Sequence, residues 1–118
     1  LEYLKTREQF GQVIGSFQAL GHRAAGLFGQ MELARSCSEA ALQAIDDDQD
    51  IELLTSLSKC RVGEFLFDMS NQLIQIHGGI GFTWEHPAHL YFKRAKSSEL
   101  LFGDPTYHRE LLAQRIGI

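Results

Sequence analysis

Apolar residues recur three and four positions apart along two long segments, and this spacing predicts two amphipathic helices. The first segment covers residues 17–45 and the second residues 51–77. The polar run Asp46–Asp50 lies between them and lacks the glycine and glutamate of a calcium-binding EF-hand loop, so we interpret it as a solvated turn. A turn this short predicts an antiparallel helical hairpin. Six large apolar residues of the two stripes are expected in its core: Leu27, Phe28, Met31, Leu57, Phe65 and Met69.

Residues near the helix ends indicate where each helix begins and ends. Ser16 is a predicted N-cap for the first long helix, and Gly78-Gly79 ends the second, because glycine tolerates the left-handed conformation of a C-cap. Two shorter helices follow at residues 88–101 and 106–116. No segment alternates with period two for long enough to form a strand. The predicted fold is therefore all-α, an up-down four-helix-type bundle in one domain over residues 1–118.

Three glycines interrupt the first long helix, at Gly21, Gly26 and Gly29. Each lowers helix propensity by roughly 1 kcal/mol, so their presence predicts the close approach of another backbone along that face.

Composition narrows the class of protein. The chain has 118 residues, of which 44% are hydrophobic, and a net charge of −4, which disfavours a duplex nucleic-acid binder. No apolar run approaches the roughly 18 residues of a membrane span, so we expect a soluble chain without a membrane partner. The chain opens on Leu1 in the middle of a helical pattern, from which we expect a C-terminal piece of a longer protein.

The histidines and cysteines do not predict a metal site. The spacing His86-x-x-His89 straddles Pro87 in a loop, without a third ligand at helical spacing. Cys37 and Cys60 fall within predicted helices, where small buried thiols are the default interpretation.

A first segment with candidate chemistry is Arg7-Glu8-Gln9-Phe10-Gly11, followed by Phe17-Gln18 at the start of a helix. A forked cationic side chain next to a helix N-terminus, where backbone N–H groups are free, suits an anion. The alternative is a connector with a surface arginine.

A second segment is the run Gln75–Phe82, which holds Gly78, Gly79 and Gly81. These glycines follow a helix and not a strand, which excludes a Rossmann dinucleotide motif. They would let a ligand or a neighbouring chain lie against bare backbone with exposed N–H groups. The alternative is a simple glycine-capped helix end.

A third segment, Phe102–His108, forms a tight turn that leads into the last helix. Pro105 lies near the first helical position, and Asp104 can cap the free N–H groups there.

The first two segments together carry a resemblance that extends over essentially the whole chain. The pattern is Tyr3, Arg7-x-x-Phe10-Gly11 and Phe17-Gln18, then Gln75-x-x-Gly78-Gly79-x-Gly81-Phe82-x-x-Glu85-x-Pro87. It resembles the C-terminal helical domain of the acyl-CoA dehydrogenase family in order, in spacing and in the two long helices between the motifs.

The resemblance implies FAD as cofactor, bound between an upstream β-domain and this bundle and partly covered by a neighbouring subunit. Arg7 matches the arginine that meets the FAD pyrophosphate across a dimer interface. The other implied cofactor-binding residues are Gln9, Phe10, Phe17, Gln18, Gln75, Ile76, His77, Gly78 and Gly79. The implied reaction is α,β-dehydrogenation of an acyl-CoA thioester, with electrons passed to an electron-transfer flavoprotein. The implied assembly is a homodimer, a homotetramer or a hetero-oligomer.

The chain departs from the family at the catalytic base. Many members carry Tyr-Glu-Gly-Thr in the turn before the last helix, where the glutamate is the base. Here Phe102 or Gly103 takes the glutamate position, depending on a one-residue slip, and Asp104 is disfavoured as a substitute because its place suits a helix cap. The catalytic residue is therefore unassigned. It either lies upstream of Leu1 or belongs to a partner subunit.

Three further hypotheses about function remain open. One is a related flavoenzyme or oxidase with the same FAD site, and another is a base-free subunit or non-catalytic helical partner that completes the FAD site of a neighbouring chain. A plain interaction bundle is the third, although it would not require Arg7, Gln18 and Gly78-Gly79 together. For location we expect the cytoplasm in a bacterium, or the mitochondrial matrix in a eukaryote.

Overall fold

The long helices form where the spacing of apolar residues predicts them. A computed structural model describes all residues, 1–118, and the all-α prediction is confirmed. The helices are α1 (Glu2–Thr6), α2 (Gln18–Asp47), α3 (Ile51–His77), α4 (Ala88–Leu100) and α5 (Pro105–Ile116), and two short strands are β1 (Glu8–Gln9) and β2 (Gln12–Val13). Short 3-10 helices occupy Ile14–Ser16 and Gly78–Phe82. Each predicted helix is present with ends within two residues of the prediction.

Helix α3 is the centre of the bundle. It packs against α2 on one side and against α4 and α5 on the other, in a molecule of 54 × 27 × 27 Å. The Nζ of Lys59 donates to the carbonyl oxygen of Ser98 at 2.6 Å and so satisfies the end of α4. Arg115 donates to the carbonyl oxygen of Glu52 at 2.8 Å and ties α5 to the start of α3. Pro105 packs on Gly63, where an added Cβ would meet its Cγ at 3.3 Å.

The burial predictions hold only in part. Leu27 is buried, and Leu57 and Phe65 are half-buried, as is usual for residues between two helices. For three residues the prediction is wrong, since Phe28, Met31 and Met69 are 59%, 40% and 38% exposed. Phe28 and Met31 are exposed because α2 has a single long neighbour, so its apolar stripe is wider than its contact with α3. Met69 belongs to α3 and lies on the same uncovered side of the pair. The three exposed residues line an open apolar groove along the α2–α3 pair.

The N-cap prediction for α2 is wrong, and the predicted close approach of a backbone to its glycines holds only at Gly21, whose Cβ position lies 3.8 Å from the carbonyl oxygen of Gly15. Phe17, and not Ser16, is the N-cap residue, and the hydroxyl of Ser16 instead donates to the carbonyl oxygen of Val13 at 2.6 Å. An added Cβ on Gly26 or Gly29 would meet no atom within 4 Å, so no backbone of this chain approaches them. None of the helices combines the length and the apolar character needed to span a membrane.

Candidate functional site

The two segments singled out from the sequence face each other across one cleft of about 450 Å³. Residues near the chain start form one wall, and the C-terminal end of α3 forms the other. The predicted residues in its lining are Arg7, Gln9, Phe10, Phe17, Gln75, Ile76, His77, Gly78 and Gly79. Gln18 is the exception, because it lies exposed at the start of α2 and does not line the cleft.

A small hairpin shapes the first wall. Strands β1 and β2 pair antiparallel, with Glu8 opposite Val13 and Gln9 opposite Gln12. Phe10 and Gly11 form the turn with φ of 56° and 81°, the left-handed geometry that two-residue hairpins require. The sequence analysis missed this hairpin because strands of two residues show no alternation. The adjacent Phe10-Gly11 pair was the only available signal.

The turn places Phe10 at the mouth of the cleft. Its side chain is 92% exposed and meets the ring of Phe17 edge-on, with centroids 6.2 Å apart. A non-glycine residue in the left-handed region costs about 1 kcal/mol or more, so the exposed ring is held in place at the expense of local strain.

The positively charged side chain of Arg7 lines the cleft and has no partner within the chain. Its backbone is fixed, since its N–H donates to the carbonyl oxygen of Tyr3 at 2.9 Å and its carbonyl oxygen accepts from the N–H of Ile14 at 2.8 Å. Its side chain is exposed and takes part in no ion pair or hydrogen bond within the chain. A guanidinium held on a rigid backbone without a carboxylate partner is suited to an anionic group such as a phosphate.

A second cation in the lining is Arg23, which the sequence analysis missed. Its Nη1 donates to Oε1 of Gln72 at 3.0 Å, which orients the guanidinium between α2 and α3. The available signal was its position three residues after Leu20, which places both side chains on one helix face. The cleft therefore holds two positive charges and no negative one.

The glycines on the opposite wall of the cleft differ in whether backbone conformation or lack of space disfavours a side chain there. Gly78 has φ 64° and ψ −142°, a conformation that side chains disfavour, and its N–H donates to the carbonyl oxygens at the end of α3. The prediction of free N–H groups is therefore wrong for Gly78. Gly81 has no space for a side chain, because a Cβ would lie 2.8 Å from the carbonyl oxygen of Ile74. Gly79 has neither constraint, since nothing in the chain lies within 4 Å of its Cβ position.

The third segment is a helix cap, as the sequence predicts. Oδ1 of Asp104 accepts from the N–H of Tyr107 at 2.8 Å, and Pro105 occupies the first turn of α5. Phe102 and Gly103 precede it with left-handed φ of 64° and 102°. A Cβ on Gly103 would lie 2.5 Å from the ring of Tyr107, whereas the Phe102 side chain is exposed. Of these two positions, only Phe102 has room for a side chain.

No cluster of three or more His, Cys, Asp or Glu side chains lies close enough to hold a metal ion. His86 and His89 have other partners: the ring of His86 packs on His77, and that of His89 meets Trp84 edge-on.

Comparisons with known proteins show which family and which folds the chain is similar to. The family model for the acyl-CoA dehydrogenase C-terminal domain matches residues 1–117. Acyl-CoA dehydrogenase IpdE2 of Mycobacterium tuberculosis is 42% identical over 112 residues, which are 95% of this chain and 33% of that protein. The solved structure of an FAD-dependent dehydrogenase is 31% identical with a TM-score of 0.94, over 99% of this chain and 32% of that one. The FAD complex of PigA is 28% identical with a TM-score of 0.92, over 98% and 30% respectively. The chain spans about a third of the length of these proteins.

Proposed function

This chain belongs to the acyl-CoA dehydrogenase family, and we propose that it forms the C-terminal bundle of an FAD-dependent acyl-CoA dehydrogenase. The observation that carries the proposal is the cleft between Arg7 and Gly78-Gly79. Its two cations suit a diphosphate, and the open backbone at Gly79 suits a flat group lying close to it. These residues therefore fit a flavin dinucleotide.

Each side chain has a limited task in this proposal. Arg7 and Arg23 would hold the pyrophosphate, the exposed ring of Phe10 would cover bound cofactor from solvent, and Gly79 would allow close contact. When bound, FAD supplies the acceptor for a hydride from the β-carbon of an acyl-CoA thioester. The reaction also needs a base for the α-proton, which this chain does not offer at Phe102 or Gly103 and for which Asp104 is already engaged as a cap.

That missing base favours a second candidate function. In it, the chain belongs to a base-free subunit that completes the FAD site of a catalytic neighbour in a hetero-oligomer. The two candidates differ in the sequence that precedes Leu1: a glutamate there that faces the flavin supports the catalytic subunit, and its absence supports the base-free one.

Partners and location follow as parts of the proposal. The proposed substrate class is an acyl-CoA, the proposed electron acceptor is an electron-transfer flavoprotein, and the proposed assembly is a dimer or tetramer of like or unlike subunits. For location we propose the cytoplasm of a bacterium, or the mitochondrial matrix if the organism is a eukaryote, and the bacterial source of the relative IpdE2 favours the first.

The test is the affinity of the full-length apoprotein for FAD after Arg7→Ala. Loss of a hydrogen bond to a charged group costs about 1.5–3 kcal/mol, which corresponds to a dissociation constant roughly 10- to 150-fold higher. The dissociation constant of Arg7→Lys should lie between those of wild type and Arg7→Ala, because lysine keeps the positive charge but lacks the paired N–H donors of the guanidinium.

The matched control is Arg35→Ala. Arg35 is also an exposed arginine and lies on α2, where its partner is Glu39, with Nε and Oε1 3.0 Å apart, and it does not line the cleft. FAD titration should give wild-type affinity for this variant. Equal affinities for Arg7→Ala and Arg35→Ala would contradict the proposed site.

A further inference from the structure

Three aromatic rings from separate elements lie in a row at the cleft, and two of them, Tyr3 and His77, belong to its lining. The first pair is stacked, and the second pair is tilted by 44°. The rings of Tyr3 and His77 have centroids 4.3 Å apart and lie 30° from parallel. The ring of His86 follows on His77 at 4.4 Å. Tyr3 belongs to α1, His77 ends α3, and His86 precedes α4, so the row joins elements that are far apart in sequence.

One nitrogen of each imidazole, Nδ1, is engaged in a hydrogen bond. Nδ1 of His77 lies 2.7 Å from the carbonyl oxygen of Leu73, and since a carbonyl only accepts, this nitrogen is the donor. Nδ1 of His86 accepts from the N–H of Ala88 at 3.2 Å. Each ring is thus held at the end of its own helix and has little freedom to rotate.

The row connects the two walls of the cleft. The carbonyl oxygen of Tyr3 accepts the N–H of Arg7, so the position of Tyr3 determines that of the arginine backbone. His77 directly precedes Gly78 on the opposite wall. The backbone of α1 packs on β2 and on the 3-10 helix Ile14–Ser16 more than on α3, which makes the contact between these rings a principal direct link between the walls.

We propose that Tyr3 and His86 are positioning residues, which act through His77 to hold the arginine-bearing wall at a fixed distance from Gly78-Gly79. The inference rests on the proposed function only where it predicts FAD affinity. We call the contacts among Tyr3, His77 and His86 the brace. His86 does not line the cleft, so a substitution of His86 alters the brace and leaves the lining side chains intact.

The test compares two substitutions of His86 in the full-length protein. His86→Phe keeps a stacking ring and loses the acceptor for Ala88, whereas His86→Asn keeps an acceptor and loses the ring. Because a stacked aromatic pair contributes a modest energy beyond its burial, we expect His86→Asn to weaken FAD binding by about threefold to tenfold. His86→Phe should stay within about twofold of wild type by the same reasoning.

A second pair tests the other end of the row with one chemical change. Because Tyr3 also lines the cleft, Tyr3→Leu should weaken FAD binding by at least as much as His86→Asn. His86→Asn should have a smaller effect in the Tyr3→Leu background than in wild type, because both substitutions remove the same row of contacts. The control is Tyr91→Leu, at an exposed tyrosine of α4 outside the row, which should bind FAD like wild type.

Hydrogen exchange of the apoprotein tests the brace without FAD. The amide of Ile14, which donates to Arg7, should exchange faster in His86→Asn and at the wild-type rate in His86→Phe. A wild-type apoprotein that binds no FAD would refute the proposed function and leave this exchange experiment to decide on the brace. Faster exchange and weaker binding in His86→Phe than in His86→Asn would show that His86 only caps α4. Unchanged exchange in both variants would also overturn the inference.

Discussion

The contact between Gly15 and Leu4 should be among the least tolerant in the chain. A Cβ on residue 15 would lie 2.6 Å from the carbonyl oxygen of Leu4 and 3.2 Å from its carbonyl carbon. Ordinary contact begins at 3.4 Å, so the two backbones would have to separate by up to about 0.8 Å. Leu4 is buried, and α1 carries Arg7 at its end, so the same movement would displace the cleft wall.

The expected cost of Gly15→Ala follows from two opposing effects. Forcing a methyl group into a packed site typically costs about 1–3 kcal/mol. Gly15 does not have a positive φ, so alanine fits its backbone and gains about 0.4–1 kcal/mol through the unfolded state. At the middle of these two ranges the free energy of unfolding should fall by about 1.3 kcal/mol, and the ranges bound the loss at about 2.6 kcal/mol.

Gly26→Ala is the control, since it makes the same chemical change in open space within α2. Nothing lies within 4 Å of its Cβ position, and alanine should raise helix stability by about 1 kcal/mol. Urea denaturation of the 118-residue chain, followed by far-ultraviolet circular dichroism, measures both variants. Shifts of the same sign, or a Gly15→Ala chain as stable as wild type, would refute the steric argument.

Three further predictions concern the last turn and the cofactor. In the same urea assay, Gly103→Ala should lower the free energy of unfolding by about 2 kcal/mol, because its φ is 102° and its Cβ would meet Tyr107. The control is Phe102→Ala, which should stay within about 0.5 kcal/mol of wild type. Asp104→Asn in the full-length enzyme should mainly affect stability and lower turnover by about tenfold or less; a thousandfold loss of flavin reduction with FAD still bound would identify Asp104 as the base. Under the proposed function the cleft is only part of an FAD site that is shared with an upstream domain and a second subunit. The isolated 118-residue chain should therefore bind FAD much more weakly than the full-length protein in equilibrium dialysis, and equal affinities would contradict the shared site.

Local features of the sequence determined the helices of this protein. Apolar residues at a period near 3.6 require a helix to bring them onto one face, and this signal is strong over segments as long as α2 and α3. The ends were also predictable where one residue type has a specific backbone role, as with Gly78 at φ 64° and Asp104 at the start of α5. These effects depend on neighbours within a few positions along the chain.

The tertiary structure decided which apolar faces are covered and how the cleft is assembled. Phe28 and Met31 share the stripe of Leu27, yet they are exposed, because burial depends on how many elements surround a helix and not on its own periodicity. The hairpin turn at Phe10-Gly11, the second cation Arg23 and the stacked rings gave little or no signal in the sequence. Arg7 and Gly78 are 71 positions apart, and only the packing of α1, α2 and α3 brings them to one cleft. Periodicity fixes the form of each helix, whereas the contacts between helices are non-local and are settled by side-chain shape and packing once the whole chain has folded.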